Sequence, residues 1–183
     1  MDVIDRKPNF DMNYVDLRYK QYLKSVDDLY KKHQVPHDKR YKQKIFVPKR
    51  PIKCINIMET SEPQPIIARS GWEIQICDFL DKTDAVIRWG SEPIQILYPN
   101  PITRKMSKYI PDFYVEILNK DKKIDKYLWE VKPLKEAVLE STGNGYDRLM
   151  VAKNACKWKS AIEYCKKRNM KFKVITEKDL GLL

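Results

Sequence analysis

The sequence predicts an α/β fold in which a mixed β-sheet is flanked by helices. Three observations support this prediction: four strand-like runs lie between residues 85 and 133, a long amphipathic helix follows them, and one more strand-like run lies beyond that helix. A helix between two strands allows them to be parallel, whereas the earlier strands can pair as antiparallel hairpins. The sheet is therefore expected to be mixed, with helices on both faces.

Composition and charge narrow the class of protein. The 183 residues suffice for one domain with an extension, and the 43% of hydrophobic residues can form a core. A formal net charge of +11 makes nucleic acid the first partner to consider, although a solubilising surface is also compatible with it. No apolar run approaches the roughly 18 residues of a membrane span, and the first residues do not resemble a signal peptide, so we expect a cytoplasmic chain with no membrane partner.

Residues 1–64 are predicted to form an N-terminal arm, with one helix over 15–32 followed by a proline-punctuated extended stretch. Part of this stretch is a strip of seven basic residues without an acidic one. It could lie along a phosphate backbone, but its composition fits a solvated linker equally well. The strip comprises Lys39, Arg40, Lys42, Lys44, Lys49, Arg50 and Lys53.

Residues 65–183 are predicted to form the sheet-containing domain. A helix is expected over 70–82, where Ser70-Gly71-Trp72-Glu73 precedes an apolar periodicity. Strands are expected at 85–89, 94–98, 109–118 and 127–133, and the polar turn 119–123 should join the last two as a hairpin. A helix from about 151 to 168, a strand at 171–176 and a short helix complete the chain.

Two acidic residues and a lysine are expected to converge at one edge of this sheet. Side chains alternate along a strand, so Glu130 and Lys132 share one face of the strand at 127–133. If the strand at 109–118 pairs with it, Asp112 reaches the same edge. Two carboxylates there could hold Mg²⁺, and the ammonium could help to deprotonate an attacking water. The alternative for Glu130 and Lys132 is a solvent-facing ion pair.

Glu73 has two interpretations. It lies at the start of the first helix of the sheet-containing domain and belongs to the same set of candidate residues. The sequence Ser70-x-x-Glu73 is also a capping box, in which Glu73 accepts a hydrogen bond at the helix N-terminus. A carboxylate committed to a backbone N–H is a poorer metal ligand, so the two roles are only partly compatible.

Evidence for a functional role is weaker for the other histidine, cysteine and basic residues. His33 and His37 have the i, i+4 spacing of a helical metal pair, but Pro36 between them disfavours a continuous helix. The cysteines have no C-x-x-C spacing and are expected to be reduced and structural: Cys54, Cys77, Cys156 and Cys165. The basic residues of the long helix could flank a DNA channel, although a charged solvent face explains most of them: Lys153, Lys157, Lys159, Lys166, Lys167 and Arg168.

Several segments, taken in order, resemble the head-completion nucleases of contractile-tailed, T-even-like phages. More loosely, they are similar to the PD-(D/E)XK restriction-endonuclease-like superfamily, which includes end-cleaving endonuclease subunits of some transposons. The resemblance covers roughly residues 66–180 and does not extend to residues 1–64. The segments are Arg69-Ser70-Gly71-Trp72-Glu73, Trp89-Gly90-Ser91-Glu92, Pro111-Asp112-Phe113, Trp129-Glu130-Val131-Lys132-Pro133, Lys157-Trp158-Lys159-Ser160-Ala161 and Phe172-Lys173-Val174-Ile175-Thr176-Glu177.

The resemblance implies a restriction-endonuclease-like core and an Mg²⁺-dependent DNA endonuclease, with Mn²⁺ able to substitute. It implies that Glu73, Asp112 and Glu130 hold the metal and that Lys132 orients the attacking water. It further implies double-stranded DNA and phage portal or neck proteins as partners, in the virion head or neck and in the host cytoplasm during assembly. Two alternatives remain open: a non-catalytic structural or DNA-binding neck component, and a transposase-type end-cleaving endonuclease subunit.

Overall fold

The computed structural model describes residues 3–5, 9–33, 44–137, 145–176 and 178–179. The helices in this part are α1 (Met12–His33), α2 (Ile55–Met58), α3 (Gly71–Lys82), α4 (Leu134–Ala137) and α5 (Gly145–Lys166). The strands are β1 (Lys44–Phe46), β2 (Ile66–Ala68), β3 (Val86–Ser91), β4 (Ile96–Asn100), β5 (Lys105–Tyr109), β6 (Phe113–Leu118), β7 (Ile124–Val131) and β8 (Lys171–Ile175). None of these helices combines the length and the apolar character that crossing a lipid bilayer requires.

The central sheet has four strands in the order β3-β6-β7-β8. β6 pairs antiparallel with β3 and with β7, and β8 pairs parallel with β7 after the α5 crossover. The polar turn between β6 and β7 is closed by the Asn119 side chain, whose Oδ1 accepts hydrogen bonds from the backbone N–H groups of Asp121 and Lys123. The predicted mixed sheet and its hairpin are confirmed.

The predicted single strand at 109–118 is in fact two strands in two different sheets. β5 ends at Tyr109 and pairs with β4 in a separate hairpin, whereas β6 begins at Phe113 in the central sheet. Pro111 lies between them and has no N–H to donate to a ladder, so the strand is interrupted there. Asp112 consequently lies where the chain passes from the hairpin to the central sheet.

The two faces of the central sheet pack against different layers. Trp129 and Val131 of β7 belong to the core formed with α1 and α3. Leu128, which points to the opposite face, belongs to the core formed with α5 and the β4–β5 hairpin. Glu130 shares the second face with Leu128, so the hairpin and α5 form its surroundings.

The N-terminal segment is part of the main core. Tyr22 of α1 is fully buried in the same cluster as Trp89 of β3, and its hydroxyl contacts the Phe46 carbonyl and accepts the N–H of Ile66 at 3.2 Å. The predicted boundary between an arm (1–64) and a domain (65–183) therefore does not coincide with a break in packing. The buried face of α1, which includes Val15, Tyr22 and Val26, joins this helix to the main core.

The described half of the basic strip is anchored to the end of α3. The backbone N–H groups of Lys49 and Arg50 donate to the Asp81 carboxylate at 2.8 and 3.1 Å, and Lys53 Nζ donates to the Thr83 carbonyl at 2.7 Å. These contacts do not fit a freely solvated linker. His37, Lys39, Arg40 and Lys42 lie outside the described residues, as do the side chain of His33 and most of the predicted C-terminal helix.

The four cysteines are free thiols, and Cys54, Cys77 and Cys165 are buried. Burial raises the pKa of the Cys54 thiol to about 12 and that of Cys165 to about 11. Neutral thiols in apolar surroundings behave as small hydrophobic side chains, which agrees with the structural role expected for them.

Candidate active site

Asp112 is held at the start of β6, opposite Glu130. The register pairs Phe113 with Trp129, and one further step along the two strands brings Asp112 level with Glu130. Asp112 Oδ2 accepts a 2.7 Å hydrogen bond from the backbone N–H of Val131. Its carbonyl accepts a 2.9 Å hydrogen bond from Glu92, which has a left-handed backbone conformation with φ of 50°. Both the side chain and the main chain of Asp112 are therefore fixed.

Glu130 is a buried carboxylate with a defined partner for each oxygen. Oε2 accepts a 2.7 Å hydrogen bond from the Tyr109 hydroxyl, and Oε1 lies 3.2 Å from Lys132 Nζ. The Glu130 side chain is 5% exposed and the Lys132 side chain 28% exposed. The ion pair between them is formed, but its acid is not solvent-facing. A buried charge must be compensated by such partners, so this geometry differs from that of an ordinary surface pair.

The electrostatics of the pair favour the binding of a cation. Burial, followed by the charge of Glu130, raises the pKa of Asp112 to about 7, while the Val131 N–H and Lys132 act in the opposite direction. The buried carboxylate of Glu130 and the partly buried carboxylate of Asp112 repel each other, and a divalent ion between them would stabilise both. Such an ion would also remove the cost of ionising Asp112.

Asp112 and Glu130 form a minimal set of protein ligands for Mg²⁺. Within the described ranges, no group of three or more His, Cys, Asp or Glu side chains is arranged to hold a metal. Mg²⁺, however, commonly takes one or two carboxylates, several waters and substrate phosphates, and hard oxygen ligands are what Asp112 and Glu130 provide. These two residues would hold the ion.

Glu73 forms the capping box at the start of α3. Its Oε2 accepts the N–H of Arg69 and its Oε1 accepts the Ser70 hydroxyl, both at 2.9 Å, while the Glu73 N–H donates to Ser70 Oγ at 3.1 Å. The carboxylate still lies close enough for its charge to raise the pKa of Asp112. A role as third metal ligand would require Glu73 to leave its cap, and that role stays a prediction.

Lys157 of α5 was named only among the basic residues that could flank a DNA channel, most of which a charged solvent face explains, and not as a residue of the active site. It is partly buried, and its Nζ lies 5.4 Å from the centroid of the Tyr109 ring. Burial lowers the pKa of Lys157, as do Lys153 and Lys132, whereas Glu130 and Asp112 favour its charged form. The sequence contained a signal for this position, because Lys157 precedes the buried Ala161 by four residues and the buried Cys165 by eight.

Tyr109 is the second residue that sequence reasoning missed. It was predicted only as the first residue of a strand, and no spacing in the sequence links it to Glu130. The link arises because the β4–β5 hairpin folds onto the sheet face that carries Glu130.

A cleft of about 390 Å³ adjoins the site on the side of Glu92 but does not contain the reactive carboxylates. Its polar wall atoms are largely paired with one another. The Asn56 side chain exchanges two 2.8 Å hydrogen bonds with the backbone of Ser91, and Arg69 forms an ion pair with Glu92. The cleft is therefore a neighbour of the site and not its centre.

Two comparisons with known proteins show what this chain is similar to. The family of TnsA-like endonuclease N-terminal domains matches residues 83–177, a segment that includes Asp112, Glu130 and Lys132 but not Glu73. The head completion nuclease of Enterobacteria phage T4 is 32% identical over 132 residues, which cover 67% of this chain and 85% of that protein. The segment matched by the family thus contains the carboxylate pair and the lysine that the structure brings together.

Proposed function

The chain belongs to the TnsA-like endonuclease family as a relative of phage head completion nucleases, and from this we propose that it cuts double-stranded DNA in an Mg²⁺-dependent reaction during phage head completion. The observation that carries the proposal is the convergence of Asp112, Glu130 and Lys132 at the ends of β6 and β7. Nuclease function follows from the family. The metal, the residues and the place of action are the proposed parts.

Asp112 and Glu130 would hold the ion, which when bound supplies positive charge for the phosphate and makes a bound water more acidic. Lys132 lies 3.2 Å from Glu130 Oε1, so its ammonium can donate a hydrogen bond to a water placed beside that carboxylate and orient it toward phosphorus. The Glu130 carboxylate in turn keeps the ammonium in place.

Lys157 adds a second positive charge to the site from the side of α5. Phosphodiester hydrolysis concentrates negative charge on the phosphoryl oxygens in the transition state, and a fixed cation in a partly buried position stabilises that charge more than a solvated one does. The overall charge of +11 draws the polyanionic substrate to the surface before this contact forms.

The place of action is proposed from the relative. A nuclease of head completion would act on the end of packaged DNA at the portal vertex before the tail attaches. Portal or neck proteins would be its partners, and the virion head or neck, with the host cytoplasm during assembly, its location.

A second function, an end-cleaving subunit of the transposase type, is favoured by the family match to TnsA-like endonucleases. The two functions differ in substrate. A head completion nuclease should cut linear duplex DNA, whereas a transposase-type subunit should prefer transposon-end or branched DNA.

Cleavage of linear duplex DNA by purified protein, with Mg²⁺ or with a chelator, tests the proposal. Glu130→Gln and Lys132→Met should lower the rate by about 10²-fold or more, since each removes a group that acts in the chemical step. Asp121→Asn is the matched control, because Asp121 is an exposed acid in the β6–β7 turn. If Glu130→Gln cuts as fast as the parent, the assigned site is wrong. A parent chain that binds DNA but never cuts it would favour a non-catalytic neck component.

A further inference from the structure

Tyr109 connects the β4–β5 hairpin to the Glu130 carboxylate of β7. It is the last residue of β5, only 3% exposed, and its hydroxyl donates a 2.7 Å hydrogen bond to Glu130 Oε2. A charge-assisted hydrogen bond of this length fixes the direction of the carboxylate as well as its position. With Oε2 occupied, Oε1 is the oxygen that faces Lys132.

The Tyr109 ring is itself held in place by two further contacts. Tyr98 of β4 packs edge-to-face against it, with ring centroids 6.5 Å apart and an interplanar angle of 83°. Lys157 Nζ lies 5.4 Å from the centroid of the Tyr109 ring. Through one residue, the hairpin therefore contacts both the Glu130 carboxylate and the Lys157 ammonium.

We propose that Tyr109 is a positioning residue that orients Glu130 for the metal, with its hydroxyl holding one carboxylate oxygen so that the other is presented to the ion. The inference rests on the proposed function, because it concerns the same metal site. It adds that the β4–β5 hairpin, which contributes no ligand, sets the affinity for the ion. Groups that orient a ligand in this way typically change metal affinity by about 10- to 100-fold when they are removed.

The test is isothermal titration of the full chain with Mn²⁺, comparing the parent, Tyr109→Phe and Tyr98→Phe. Tyr109→Phe keeps the ring and deletes only the hydroxyl, and we expect the Kd for Mn²⁺ to rise by about 10- to 100-fold. Tyr98→Phe is the matched control on the neighbouring strand, since Tyr98 is equally buried and its hydroxyl contacts no carboxylate of the described residues. Its Kd should equal that of the parent.

The outcomes separate the inference from the proposed function. A parent that binds no Mn²⁺ overturns the metal site and the inference with it. A parent that binds, together with a Tyr109→Phe variant of unchanged affinity, overturns the inference alone. Circular dichroism and urea unfolding of the same samples give the folded fraction, and an affinity loss no larger than the loss of folded protein also counts against positioning. Retained fold with weakened binding in Tyr109→Phe alone supports it.

Discussion

The carboxylate of Asp112 accepts a 2.7 Å hydrogen bond from the backbone N–H of Val131, and this bond keeps it beside Glu130 on the adjoining strand. Two acids from neighbouring strands are thereby held together in a partly buried place. Repulsion between them lowers the free energy of unfolding, and a bound cation would raise it again. Stability and metal binding are consequently linked at this pair, and the first two predictions follow from that link.

The first prediction is that Asp112→Asn stabilises the metal-free protein above neutral pH. The folded state raises the pKa of Asp112 from 3.8 to about 7, so between these values the folded chain binds more protons than the unfolded one and stability falls as the pH rises. An asparagine does not ionise but can still accept the Val131 N–H. We expect a gain of roughly 2 to 4 kcal/mol at pH 8, since a tenfold change in proton affinity corresponds to about 1.4 kcal/mol.

Urea unfolding of parent and variant at pH 4, 6 and 8 in the presence of a chelator measures this gain. The difference should close toward pH 4, where Asp112 is protonated in the folded state and half protonated in the unfolded state. A constant difference at all three values, or a less stable variant at pH 8, would show that the pair does not repel as the structure indicates.

The second prediction is that Mg²⁺ stabilises the parent but not Asp112→Asn. An ion that binds only the folded state adds about 2.7 kcal/mol at a concentration of 100 times its Kd. The variant lacks one of the two carboxylates and should unfold at nearly the same urea concentration with and without the ion. Na⁺ at matched ionic strength serves as the control for screening. Equal stabilisation of both proteins would place the ion elsewhere.

The sequence predicted Glu130 and Lys132 on one face because alternation along a strand is a local rule. Lys132 lies one residue beyond the end of β7, where its N–H still donates to the Ile175 carbonyl. Pro111 marks the point where β5 and β6 divide, but the different partners of the two strands were not predicted, since a run of aromatic and β-branched residues looks the same whether its halves pair with one strand or with two. The break at Pro111 moved Tyr109 into the hairpin and left Asp112 at the crossing point. Site residues within one element were therefore predicted, while Tyr109 was not, because it reaches Glu130 only through tertiary packing.

Lys157 was not predicted as a site residue for a different reason. Charged residues on a helix are assigned to the solvent by default, and the spacing that links Lys157 to Ala161 and Cys165 singles it out only once those two residues are known to be buried. The packing of α5 against the sheet determines which of its lysines faces the site. The buried Ala161 and Cys165 set this packing. The N-terminal segment is a similar case, because the buried face of α1 becomes evident only once the main core that it joins is known.

The third prediction concerns Glu73, for which capping and metal binding can be separated by substitution. Glutamine serves in a capping box as glutamate does, so Glu73→Gln should keep the stability of α3 while removing the charge. Glu73→Ala and Ser70→Ala should each cost about 1 kcal/mol of stability. Because both oxygens of Glu73 are engaged in the cap, we expect Glu73→Gln to bind Mn²⁺ far better than Glu130→Gln does. Similar losses in these two variants would instead make Glu73 a ligand.

The fourth prediction is that Lys157→Met slows DNA cleavage without destabilising the fold. Methionine replaces most of the apolar stem of lysine, and burial already lowers the pKa of Lys157, which means that the folded state gains little from its charge. Loss of a cation that faces the developing phosphate charge should reduce kcat by about 10²-fold. Lys159→Met, on the exposed side of the same helix, removes an equal charge from the chain and should leave kcat unchanged.

Single-turnover cleavage at saturating DNA separates the two variants, because it is insensitive to weaker binding. A loss of DNA affinity shared by Lys157→Met and Lys159→Met, with equal rates at saturation, would assign Lys157 to general attraction of the polyanion. A slower chemical step in Lys157→Met alone would place its ammonium at the reacting phosphate. We expect a slower chemical step in Lys157→Met alone, because Lys157 Nζ lies over the ring of Tyr109 and the hydroxyl of the same residue donates to Glu130.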